Sequence, residues 1–73
     1  MNLLRDMLIK SAEADKAKAL LSLELLGDRA VGIGDHSTED FYKNAEEAIN
    51  MLADADDILE AIKKYLPYQQ EII

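Results

Sequence analysis

Residues 41–66 read FYKNAEEAINMLADADDILEAIKKYL, and the spacing of their apolar groups decides the fold. Phe41, Ala45, Ala48, Leu52, Ala55, Leu59, Ile62 and Leu66 recur at alternating steps of four and three. That rhythm marks an α-helix packed lengthwise against other helices. With Ala45, Leu52, Leu59 and Leu66 at heptad position a and Phe41, Ala48, Ala55 and Ile62 at d, Met51, Ile58 and Tyr65 fall at g. The apolar face is then as wide as that of a core helix in a bundle, wider than the seam of a two-stranded coil. Alanines at 45, 48 and 55 call for close approach of a neighbouring helix. One neighbour does not cover a face of this width, so the expectation is an antiparallel hairpin that dimerises into a four-helix bundle.

The ends of this helix are marked. Ser37 is placed to cap it, Glu39 and Asp40 stand in the first turn facing the positive end of the helix dipole, and His36 with Phe41 forms a staple-like pair. Lys63 and Lys64 complement the far end and Pro67 stops the helix, which the sequence places at about 38–66.

Outward from it, residues 2–26 hold no Gly or Pro and are rich in Leu, Ala, Lys and Glu, which predicts a first helix. Leu3, Leu4, Met7, Leu8, Ala14, Ala17, Leu21, Leu25 and Leu26 fall on one broad side, read as its packing face. Asp6, Glu13, Lys16, Leu20 and Glu24 fall on the other, while Ser11, Asp15, Lys18 and Ser22 intrude at the boundary. Gly27 reads as the glycine that closes the last turn. The connection 27–37 is long for an antiparallel pair, and its Val31 and Ile33 need cover, from the end of the hairpin or from a partner. The tail 67–73 offers apolar groups to the bundle or to a partner. The whole chain, 1–73, reads as one all-α hairpin domain.

At 73 residues the chain is at most one domain, and a domain of this size buries only about 60% of its unfolded surface. With no cysteine, neither disulfides nor a cysteine zinc site supplements the core. Fifteen acidic against eight basic side chains give a charge of −7, which disfavours nucleic acid and anionic lipid as partners. No apolar run approaches the roughly 18–20 residues that span a bilayer, and no signal peptide is evident, so a cytoplasmic location is expected. The acidity is local: residues 35–60 hold nine acids against Lys43 alone, whereas residues 1–34 hold five acids and five bases.

No stretch carries a catalytic motif. Asp35, His36, Glu39 and Asp40 are ligand types for a divalent cation, but they are also what a helix start requires, and they lack the spacing of a calcium loop. Glu46, Glu47, Asp54, Asp57 and Glu60 fall at outward heptad positions and read as a solvated acidic face suited to a basic protein partner. All-α nucleotide pyrophosphohydrolases hold magnesium through an E-x-x-E and E-x-x-D pair, which this face resembles loosely. It has no E-x-x-E, and Asp54-x-x-Asp57 is its nearest second element. A metal-dependent fragment of that kind is therefore the alternative to a non-catalytic interaction protein. No catalytic, cofactor or metal residue is assigned.

The run from Val31 to Lys43, continuing into Leu52–Glu60, resembles small uncharacterised helical proteins encoded by tailed phages that infect marine cyanobacteria. The resemblance covers the second half of the chain. It implies a host-cytoplasm location and an accessory role, and supplies no catalytic residues.

Overall fold

A computed structural model describes residues 3–29 and 38–67. They form two α-helices, α1 at Leu3–Arg29 and α2 at Thr38–Tyr65, with no strand among the described residues. At 27 and 28 residues each helix is about 40 Å long. Two bonds across the pair fix its direction. The Arg5 guanidinium donates through Nε to the Leu66 carbonyl at 2.7 Å, and Lys16 Nζ lies 2.9 Å from Asp56 Oδ1. Moving up α1 from Arg5 to Lys16 means moving back down α2 from Leu66 to Asp56, so the helices run antiparallel as a hairpin.

The seam between them is lined by alanine. Ala12 and Ala19 on α1, and Ala48, Ala55 and Ile62 on α2, are the buried apolar residues. On each helix they recur every seventh residue, which keeps one narrow row turned toward the partner. At the register set by the cross-helix bonds, Ala12 lies level with the Leu59–Ile62 turn and Ala19 level with the Leu52–Ala55 turn. Methyl groups at the contact let the two backbones approach closely. Leu8, Ile9, Leu23 and Leu26 from α1, and Phe41, Ala45, Leu52 and Leu59 from α2, are half-buried along the edges of this row. Burying a methyl stabilises by about 0.8 kcal/mol, so alanines alone hold the pair weakly, and these larger edge residues supply much of the rest.

The packing face of α1 is therefore not the one its largest side chains suggest. Leu3, Leu4, Met7, Leu21 and Leu25 are exposed, Leu3 to 69% and Leu21 to 56%, and Ala14 and Ala17 are exposed as well. Of the nine residues expected to form that face, only Leu8 and Leu26 reach α2. At 100° per residue Leu3, Met7, Ala14, Leu21 and Leu25 form a stripe almost opposite the Ala12–Ala19 row, with Leu4 between the two. Helix α1 thus carries two apolar rows, and the seam with α2 uses the one richer in alanine.

One boundary also differs from expectation. Helix α1 runs through Gly27 to Arg29, so Gly27 is a helical residue and not the glycine that closes the helix. Glycine costs about 1 kcal/mol relative to alanine in a helix, which a last turn tolerates. Helix α2 ends at Tyr65, with a final Leu66 N–H to Ile62 carbonyl bond of 2.8 Å; Pro67 has no N–H to continue the ladder. The Leu66 carbonyl accepts the Arg5 bond. The cap at Ser37, the staple residue His36, the covering roles of Val31 and Ile33, and the tail beyond Pro67 lie outside the described residues.

Two substitutions test this packing. Ala19→Leu forces a bulky group into the seam and is expected to cost about 1–3 kcal/mol in urea unfolding, while Ala53→Leu on the exposed side stays within about 0.5 kcal/mol. Because an added Cβ at Gly27 meets nothing within 4 Å, Gly27→Ala is expected to raise stability by about 0.5–1 kcal/mol. A glycine closing the helix in the left-handed conformation would give the opposite sign.

Candidate interaction surfaces

Among the residues expected to form a bundle core, Ala48, Ala55 and Ile62 are buried and Phe41, Ala45, Leu52 and Leu59 half-buried. Met51, Ile58, Tyr65 and Leu66 are exposed. The a and d rows thus lie toward α1 except at Leu66, whereas the g row stands beside the seam with no cover from α1. At its upper end Met51 borders an open groove of about 380 Å³ that it shares with Ser22, Leu25, Leu26, Asn44, Glu47 and Ala48. At its lower end the Lys64 ammonium sits 5.3 Å from the centre of the Tyr65 ring, a contact worth about 0.5–1 kcal/mol at an exposed site.

A second surface is the outer stripe of α1. Six large apolar side chains of this helix are exposed, Leu3, Met7, Leu21 and Leu25 on the stripe and Leu4 and Leu20 on either flank of it. On α2 the exposed large apolar residues include Tyr42 and Ile49, which lie on the flank opposite Met51 and Ile58. Apolar groups in such number on so short a chain are more than scattered surface leucines.

The third surface is acidic. Glu46, Glu47, Asp54, Asp57 and Glu60 are all exposed on α2. Asp57 and Glu60 also border an open cleft with Lys16, Asp56, Leu59 and Lys63. Within that cleft the Lys16–Asp56 pair is well exposed on both sides, so it contributes about 0.2–1 kcal/mol and serves mainly to fix register. Among the described residues no three carboxylate or histidine side chains converge as a metal-ligand set. The Asp35–His36 part of the candidate cation cluster lies outside the described residues, and Glu39 and Asp40 stand in the first turn of α2.

Two features of this arrangement escape a reading by side-chain size. Lys16, assigned by pattern to the polar side of α1, is half-buried beside the seam and ion-paired across it. Arg5 is held at the end of α2. The seven-residue repeat Arg5, Ala12, Ala19 and Leu26, which matches Phe41, Ala48, Ala55 and Ile62 on α2, includes Arg5 and puts Lys16, four residues after Ala12, at the edge of the seam. No helix among the described residues is long and apolar enough to cross a membrane. No protein-family model, no curated protein and no solved structure matches the chain.

Proposed function

We propose that this protein is a small, non-catalytic interaction or accessory protein of the cytoplasm that works as a homodimer of hairpins, four helices in all, and presents the carboxylates of α2 to a basic protein partner. The observation that carries the recognition part is the exposed row Glu46, Glu47, Asp54, Asp57 and Glu60 on α2. In a stretch where Lys43 is the one base, these carboxylates set a field of a single sign along the helix. Such a field steers a basic surface toward it and repels nucleic acid.

Exposed apolar surface supports the self-association part. Among the described residues twelve large apolar side chains are exposed, and the buried ones are four alanines and Ile62. A single layer of two helices leaves these groups open, along α1 and on the flanks of α2.

Neutralising the five carboxylates together, as Glu46→Gln, Glu47→Gln, Asp54→Asn, Asp57→Asn and Glu60→Gln, tests the recognition surface while leaving the seam intact. Basic proteins retained by the wild type from lysate at low salt are expected to bind the variant on the order of tenfold more weakly, with a flatter salt dependence. An identical set retained at equal strength would remove the acidic face from the account. Magnesium-dependent hydrolysis of nucleoside triphosphates by the purified protein would overturn the non-catalytic reading.

A further inference from the structure

We infer that the homodimer is built through the outer stripe of α1, with two copies of this helix packed antiparallel about a two-fold axis at Ala14. The inference rests on the proposed self-association and names its surface. Helix α1 has its alanine row against α2 and a second apolar row on the opposite side, exposed along its length. A helix apolar on opposite sides belongs between two neighbours. Helix α2 supplies one.

The second copy is singled out as the other neighbour by the pattern of sizes along the stripe. Ala14 stands at its centre, Met7 and Leu21 lie seven residues to either side, and Leu3 and Leu25 eleven to either side. Small at the centre and large at both ends, the row reads alike in both directions. An isologous interface demands a surface complementary to itself. In the antiparallel dimer Ala14 meets the partner's Ala14 where the helices come closest, Met7 meets the partner's Leu21, and Leu3 meets the partner's Leu25. The two helix dipoles then oppose, which favours this direction over the parallel one. Lys10 and Lys18 interrupt the stripe from opposite edges, where their stems lie over apolar surface and their ammonium groups reach water.

Charge also bears on the choice. Packing through the outer side of α2 would set the Glu46, Asp57 and Glu60 carboxylates against those of the other copy, whereas the α1 interface brings Lys10 level with the partner's Lys18 at opposite edges, where both ammonium groups reach water. Packing through α1 puts both α2 helices on the outside, so the two acidic faces stay apart and remain open to a partner. Met51, Ile58 and Tyr65 then lie beside the central contact and not within it.

The chain has no cysteine, so single cysteines report the axis directly. In the full-length protein, Ala14→Cys is expected to give a covalent dimer on mild oxidation or with a short bismaleimide. Met7→Cys alone is expected to remain uncrosslinked, because its counterpart lies at the far end of the partner helix. Sedimentation equilibrium of Leu21→Glu is expected to show monomer with helical circular dichroism retained, while Ile58→Glu stays dimeric. A dimeric wild type in which Ala14→Cys fails to crosslink, Met7→Cys crosslinks, or Ile58→Glu and not Leu21→Glu dissociates overturns this interface and leaves self-association standing. A monomeric wild type at tens of micromolar overturns self-association itself.

Discussion

The close contact between alanine rows on α1 and α2 is the constraint on which the rest of the molecule depends. Ala12 and Ala19 on one helix and Ala48 and Ala55 on the other let two helices of about 40 Å lie together over most of their length. The same choice limits what the seam buries. Among the described residues Ile62 is the one buried apolar side chain larger than a methyl, and the other large ones stand at the edges or on the outside. The hairpin gains a well-defined register, reinforced by Arg5 at one end and by Lys16–Asp56 farther along, and gives up much of the apolar burial that would stabilise it alone.

That trade explains why the two helices differ. Helix α2 turns one apolar row toward α1 and its carboxylates outward, with Tyr42 and Ile49 exposed on one flank and Met51, Ile58 and Tyr65 on the other. Helix α1 has apolar rows on opposite sides and only narrow polar strips between them, so water is a poor solvent for its outer face. In the proposed dimer α1 forms the interior and α2 the exterior, and the acidic residues stand where a partner reaches them. Structural and recognition roles are then divided between the helices.

Much of this was legible in the sequence, and the parts that were not have a physical cause. The α2 seam stood out because Phe41, Leu52, Leu59 and Ile62 are large and the positions between them are charged, so a single period dominates. The outward placement of Glu46, Glu47, Asp54, Asp57 and Glu60 followed from the same period, and all five are exposed. On α1 two periods overlap. Leu3, Met7, Leu21 and Leu25 outweigh Ala12 and Ala19 on any scale of side-chain hydrophobicity, yet close packing favours the alanines, whose small size is the reason they are chosen. Comparing the two helices for a shared seven-residue alanine spacing, and not each helix for its largest side chains, identifies the contact. Gly27 misled for a related reason: a glycine near a helix end is usually its closure, and only the backbone tells whether the helix continues.

In the proposed dimer a second copy completes the burial of α1 and adds stability to a hairpin whose own seam is thin. Thermal unfolding followed by circular dichroism over a hundredfold range of protein concentration tests it most directly. A protein whose folded state is stabilised by association unfolds at a temperature that rises with concentration, by mass action. The midpoint is expected to climb steadily across the series. A midpoint that stays constant over the whole range would contradict it, and would mean that the alanine seam and its edge residues hold the fold unaided.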